Sequence, residues 1–430
     1  MQLSDVNWYL GDQPGQERLM SISGRGWARL LGTASVWTCG LAVPSNRALG
    51  QSDSVPPATA GPGGFTIQSR EGSFQFRLRG YIQADGRFFP DVPANLGAST
   101  FLLRRARPVM DVTTWRYFTL RLTPDFGQGK VTLFDAYLDF RPVSHAGLRF
   151  GKMKPPVGLE RLQPAIDLRF AERALPTNLV PTRDVGAQLF YEKPIVSVAA
   201  GVFNGVPDFG NGDIDGTNDK DFEARVFFHV PHVGVGIAGT TGQEHGTITA
   251  PALPSYVTPG QQPMFRYRDT TIANGTRSRI TPQGYFYFGP FGLLGEYVRS
   301  AQRVSRTTAT ADLANSSWQI AASVFVTGER ASFATVSPRH KFDPAAHHWG
   351  AIELAARYSE LSIDPAAFPT FANVANSPTK TTAWAVGATW HLAPAVKIAL
   401  NYELAQFSGG AAGGDRAPEH FLVTRFQQAF

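Results

Sequence analysis

From Phe74 onward the chain alternates apolar and polar residues with a period of two. In the first segment Phe74, Phe76, Leu78, Gly80, Ile82, Ala84, Gly86 and Phe88 form a face without a charge. Gln75, Arg77, Arg79, Tyr81, Gln83, Asp85 and Arg87 form the other. Successive side chains of a strand point to opposite faces, so this is a strand with one apolar and one polar side. It is longer than a soluble strand usually is and fits a tilted membrane-crossing strand of ~9–11 residues plus its rims. The same pattern returns along the chain. Phe118, Leu120 and Leu122 oppose Thr119, Arg121 and Thr123; Phe134, Ala136, Leu138 and Phe140 oppose Asp135, Tyr137, Asp139 and Arg141. Phe222, Ala224, Val226 and Phe228 oppose Glu223, Arg225 and Phe227, and Val396, Ile398, Leu400 and Tyr402 oppose Lys397, Asn401 and Glu403.

With the weaker segments near Arg105, Arg149, Val185, Val198, Val235, Tyr285, Leu294 and Val386, the pattern predicts an all-β fold. The expected form is a transmembrane antiparallel β-barrel of about 16 strands, large enough for an aqueous channel. Trp384 and Trp390 lie on one face of one strand, roughly 20 Å apart at ~3.4 Å per residue. That matches the aromatic girdles at the two edges of a barrel's apolar band. Short turns at Lys193-Pro194 and around Pro290 contrast with long polar connections over 207–220, 243–277, 305–316, 338–347 and 364–379. These longer connections are expected to be outer loops.

Composition agrees. Gly numbers 43, Phe 31, charged residues are 17% and mean hydropathy is −0.15, too polar for a bundle of spanning helices. No run approaches the ~20 apolar residues such a helix needs. Residues 1–50 read as a signal peptide: Arg25 and Arg29, then an apolar stretch over 30–43, then Ala48 and Gly50 before a cut at Gln51. The single cysteine, Cys39, falls within it. Residues 51–72 are Pro/Gly-rich and read as a periplasmic linker, leaving 73–430 as the barrel domain. The net charge is +6, of which residues 1–50 hold four basic and three acidic groups, so the remainder is +5. No basic run or nucleic-acid module accompanies it, and no nucleic-acid partner is expected.

One stretch breaks the alternation. A strand over 148–154 ends at Pro155-Pro156, and 158–182 has no period of two before alternation resumes at Asp184. Connections this long are usually functional. It carries Lys152, Lys154, Arg161, Arg169, Arg173 and Arg183, the candidate anion-binding residues of a pore constriction. Candidate lumen-wall residues are Arg77, Arg79, Arg87, Arg105, Arg107, Arg121 and Arg149. Rings of Arg and Lys raise the local concentration of anions in a channel with low-dielectric walls. The competing reading is that these arginines pair with Asp85, Asp111, Asp135, Asp139 and Glu223 and only stiffen the wall.

Several pieces resemble the phosphate-selective porins O and P of Gram-negative outer membranes. They are Leu102-Leu103-Arg104-Arg105-Ala106-Arg107, Gly151-Lys152-Met153-Lys154-Pro155 and Gly158-Leu159-Glu160-Arg161-Leu162. Glu172-Arg173-Ala174-Leu175-Pro176, Pro181-Thr182-Arg183-Asp184-Val185-Gly186 and Gly201-Val202-Phe203-Asn204-Gly205 continue the match in order. The resemblance implies a trimeric sixteen-stranded barrel of the bacterial outer membrane, with the loop after the fifth strand folded inward as a basic constriction. It also implies two serines and a lysine after Gly-Leu-Glu in phosphate-specific members, where this chain has Pro164, Ala165 and Ile166. The expectation is therefore preference for small inorganic or organic anions without tight phosphate binding. The last strand, with Leu422, Phe426 and Phe430 on one face, resembles the signal read by the barrel-assembly machinery.

The histidines show no catalytic or metal-ligand spacing, and Asp213, Asp215, Asn218 and Asp219 lack the closing Glu of a calcium loop. Neither enzyme, cofactor nor metal is expected. A weakly selective diffusion porin for small organic solutes is the alternative, and a closed barrel serving adhesion a third.

Overall fold

The computed structural model describes residues 57–61, 63–90 and 98–430; the expected signal peptide lies outside them. The barrel strands are β1 (Phe74–Phe88), β2 (Thr100–Thr114), β3 (Phe118–Asp125), β4 (Thr132–Val143), β5 (Ala146–Met153), β6 (Asp184–Glu192), β7 (Val196–Phe203) and β8 (Asp221–Val230). They continue as β9 (Val233–His245), β10 (Ile272–Phe288), β11 (Phe291–Arg306), β12 (Ala309–Phe325), β13 (Ala351–Ser362), β14 (Pro378–Ala393), β15 (Val396–Ala411) and β16 (Glu419–Ala429). Each pairs antiparallel with the next, and β16 pairs with β1 from Leu422↔Phe88 to Ala429↔Tyr81. Sixteen strands thus close with no free edge between them, as a bilayer demands of a sheet.

Alternation decides which side faces lipid. On β16 Phe426 is 45% exposed while Arg425 is 3%; on β1 Ile82 is exposed and Gln83 and Asp85 are buried. Trp318, Tyr358 and Trp384 stack outside near one rim, with ring centres 5.1 and 4.5 Å apart. Trp390 and Phe342 meet near the other at 5.4 Å. At the seam Phe430 exchanges two backbone hydrogen bonds with Gly80 (3.0 and 2.9 Å). A Cβ on Gly80 would stand 2.9 Å from the Phe430 ring, which is why a glycine sits there.

Three expectations are corrected. The segment 305–316 is no outer loop: β11 and β12 run through it and turn at Thr307-Thr308. The connection containing 338–347 leaves from the end that carries all the two- and three-residue turns but Thr307-Thr308, the periplasmic end of such barrels, and part of it folds into the lumen. The Pro/Gly-rich segment before β1 is not wholly a linker. Ala58–Gly61 and Gly64–Gln68 form a hairpin that extends the sheet along the start of β1, with Phe65 opposite Leu78.

The wall is uneven in height. Strands β3 to β7 have 8 to 12 residues, whereas β10, β11, β12, β14 and β15 have 16 or 17. The lumen is filled on the taller side. The β9–β10 connection buries Tyr256, Met264, Phe265 and Tyr267 there, and Phe333 of the β12–β13 connection packs with Leu159, Tyr285 and Leu294.

Candidate constriction and anion site

The long connection between β5 and β6 enters the barrel. Gly158 turns the chain inward at φ +79°, a conformation natural to glycine. A four-residue helix, Leu159–Leu162, follows, and its first amides donate to Glu296 on β11 (Leu159 N–H at 2.6 Å). Glu160 accepts from Gln319 on β12 (3.0 Å) and pairs with Arg357 on β13 (3.4 Å). Ala171 N–H donates to Asn401 on β15 (2.8 Å), and Gln83 and Gln427 donate to the carbonyls of Ala165 and Ile166 (both 3.1 Å). Asn178 and Val257 exchange a reciprocal pair of bonds at 3.0 Å, locking this loop to the β9–β10 connection. From below, Gln163 donates to the carbonyl of Phe333 (2.7 Å). An aperiodic loop of mixed polar and apolar residues is thus fixed by bonds to much of the wall.

Between this loop and the β1–β6 wall lies a cavity of about 290 Å³. Seven basic side chains line it, Arg104, Arg105, Arg107, Lys154, Arg161, Arg173 and Arg183, with Glu172 the one carboxylate among the lining residues. Their balance is uneven. Arg107 bonds Asp125 (2.7 Å), Arg183 bonds Asp135 (2.6 Å), and Arg104 and Arg105 face Glu172 (2.6 and 3.5 Å). Lys154, Arg161 and Arg173 instead donate to backbone carbonyls. Lys154 Nζ reaches those of Leu162 and Gln163 (2.8 and 3.1 Å), and Arg161 reaches that of Thr177 (2.5 Å). Arg173 reaches those of Glu160 and Gln163 (3.0 and 2.5 Å). Two cations therefore share the Gln163 carbonyl. Burial, together with the neighbouring Arg183 and Arg173, depresses the Lys154 ammonium well below the ordinary lysine range. Burial also draws Arg173 down to about 10. Both shifts come first from burial, which the nearby carboxylates, Asp135 for Lys154 and Glu160 for Arg173, offset only in part.

Glu172 is the opposite case. Burial alone would raise its carboxyl, but Arg104, Arg105, Arg87 and Arg425 hold it well below the usual range. Arg87 contacts it at 2.5 Å and Arg425 at 3.1 Å, and Arg425 also grips Asp85 with two bonds (2.6 and 2.7 Å). Glu172 thereby ties the loop to the β1–β16 seam.

The sequence-predicted residues divide accordingly. Lys154, Arg161, Arg173, Arg183, Arg105 and Arg107 meet in the cavity. Lys152 does not line it, being paired with Asp213 at 2.5 Å. Arg169 points to the other side of the loop, where it pairs with Glu353 (3.1 Å) and donates to the Ser332 carbonyl. The wall arginines largely match the pairing alternative. Arg79 and Arg121 bond Asp111 (3.0 and 2.6 Å), Arg149 bonds Asp139 (2.6 Å), and Arg87 bonds Asp85. Arg77 stands opposite Asp111 in the β1–β2 register.

Two lining residues escaped the sequence reading for one reason. The β1–β2 register slips between Gln83↔Arg105 and Ala84↔Leu103, and the β3–β4 register between Thr123↔Asp135 and Pro124↔Leu133. Each slip is a bulge with one extra residue. The extra residues, Arg104 and Phe134, turn into the lumen. Strict alternation puts Phe134 on the lipid face; instead its ring lies 3.9 Å beneath the Arg107 guanidinium.

Comparisons with known proteins place this architecture. Residues 76–430 match the family described as phosphate-selective porin O and P. Porin O of Pseudomonas aeruginosa is 24% identical over 421 residues, covering 86% of this chain and 91% of that protein. Among solved structures, an anion-selective porin from Comamonas acidovorans aligns with TM-score 0.53 at 12% identity, covering 83% of this chain and 100% of that one. A trimer form of OmpT from Vibrio cholerae aligns with TM-score 0.52 at 12% identity, covering 83% and 100%. At these identities the structural likeness speaks to the barrel alone, and the family match carries the assignment: the chain belongs to the phosphate-selective porin O and P family, as a channel of the bacterial outer membrane rather than an enzyme.

Proposed function

We propose that this porin passes small anions through the cavity between the inward loop and the β1–β6 wall, and that Lys154, Arg161 and Arg173 set its selectivity. The carrying observation is that these three cations share one cavity and, among the described residues, hydrogen-bond to backbone carbonyls rather than to carboxylates. A passing anion supplies the charge the protein withholds. In a narrow, poorly screened space such a field acts more strongly than surface charges, which are damped beyond a Debye length of ~8 Å. The Comamonas neighbour described as anion-selective supports the same reading. The test is the reversal potential in a KCl gradient across a planar bilayer. Wild type should be anion-selective, and Arg161→Ala/Arg173→Ala should move it toward cations. The shift should exceed that of Arg303→Ala/Arg306→Ala, far from the lining. Equal shifts would place the filter elsewhere.

The assembly is proposed to be a trimer joined through β3–β7. Eight residues tilted by ~45° rise only ~19 Å, less than the ~25 Å apolar band, so this low arc suits a neighbouring copy better than lipid. The Vibrio neighbour is a trimer form. The exposed Phe426 of β16 and Phe430 just after it are the proposed handle for the barrel-assembly machinery.

A further inference from the structure

The cavity has features that a simple inorganic-anion site does not need. At about 290 Å³ it holds the volume of roughly ten waters at ~30 Å³ each. Between its cations the lining includes a set of apolar residues: Phe134, Phe209, Val257, Pro164 and Ala165. Phe209 carries the Arg161 guanidinium at 5.4 Å and Phe134 carries Arg107 at 3.9 Å, so each charge sits beside hydrocarbon.

Four neutral polar residues of the lining are already engaged, while Tyr81, Asn211 and Gln261 line it as well. Thr177 Oγ1 donates to the Ala174 carbonyl (2.8 Å), Thr182 Oγ1 to that of Phe209 (3.1 Å) and Thr258 Oγ1 to Glu419 (2.6 Å). Asn178 uses its amide nitrogen and oxygen on Val257. What the cavity chiefly offers a solute is fixed positive charge and apolar surface, with the Tyr81 hydroxyl and the Asn211 and Gln261 amides beside them. A strongly hydrated phosphate needs donors on every side to replace its water, and an apolar wall gives none. A carboxylate on a hydrocarbon body matches both components.

We propose that the cavity is a transit site for organic carboxylates with an apolar or aromatic body. The carboxylate is held by Lys154, Arg161 and Arg173, and the body lies against Phe134, Phe209 and Val257. This rests on the anion-channel reading above and adds the solute class.

The test uses the full barrel in planar bilayers, with benzoate, acetate and phosphate titrated against the chloride current. Benzoate should reach half-block at about tenfold lower concentration than acetate or phosphate, the increment expected from burying part of a ring. Val257→Ser should weaken benzoate block several-fold more than acetate block. Equal block by benzoate and acetate in an anion-selective wild-type channel overturns this proposal and leaves the anion reading standing. A cation-selective wild type overturns both. Phosphate blocking at lower concentration than benzoate shows an inorganic-anion site and also overturns it. If Val257→Ser fails to fold, the wild-type ratio decides alone.

Discussion

Arg79, Arg121 and Arg149 on the barrel wall and Lys154, Arg161 and Arg173 on the inward loop face the same lumen, yet they are balanced in different ways. On the wall Arg79, Arg121 and Arg149 each meet an aspartate across the ladder at 2.6 to 3.0 Å. On the loop Lys154, Arg161 and Arg173 meet carbonyl oxygens instead. A carbonyl satisfies a hydrogen-bond donor but cancels no charge. On the function proposed above, the wall arginines contribute cohesion and little field, while the loop cations keep their field for a solute. Counting arginines around a pore says less than asking what each is paired with.

Glu172 lies where the two groups meet, so its replacement should have the largest effect. Glu172→Gln leaves Arg87, Arg104, Arg105 and Arg425 short of a buried carboxylate. Breaking such a pair costs about 3–5 kcal/mol. The temperature at which the folded band converts on SDS gels should fall clearly below wild type, while Glu360→Gln, at a rim, should barely move it. Equal behaviour of the two would remove Glu172 as the loop's anchor.

The comparison sharpens with a matched pair of neutralisations. Arg149→Met/Asp139→Asn removes a wall pair together and should change the reversal potential by much less than Arg161→Ala/Arg173→Ala. A comparable change would mean that wall and loop share the filter.

The smallest effect concerns pH. Lys154 has its ammonium depressed by burial and by Arg183 and Arg173, so it loses its proton at lower pH than an ordinary lysine. Cavity charge falls as it does. Anion selectivity should decline as pH rises through that depressed range, and Lys154→Arg should flatten the decline. A flat wild-type profile up to the ordinary lysine range near 10.4 would show that Lys154 stays charged.

Much of the barrel was legible because a strand repeats every two residues and lipid enforces the repeat on one side. The inward loop was legible as the stretch where that repeat stops. The direction of its individual side chains was not. Arg169 and Arg173 are four residues apart in the same aperiodic segment, yet one pairs with Glu353 on β13 and the other lines the cavity. Their separation depends on where 158–183 docks, which alternation does not encode. Pairing on the wall was open for a related reason: Arg149 finds Asp139 through the β4–β5 register, a property of two strands together. The segment 305–316 was misread because its Thr and Ser residues continue a tall polar wall.

The two bulges carry a consequence for how such a channel can change over generations. Arg104 and Phe134 reach the lumen because each strand holds one residue more than its partner. A codon gained or lost at such a point re-aims a side chain between lipid and water. Substitution can only exchange one inward side chain for another at a fixed place, whereas a bulge lets Arg104 and Arg105 enter side by side from one strand. Length variation within β2 and β4 is therefore a route by which related barrels can acquire different filters while keeping the same sixteen-stranded frame.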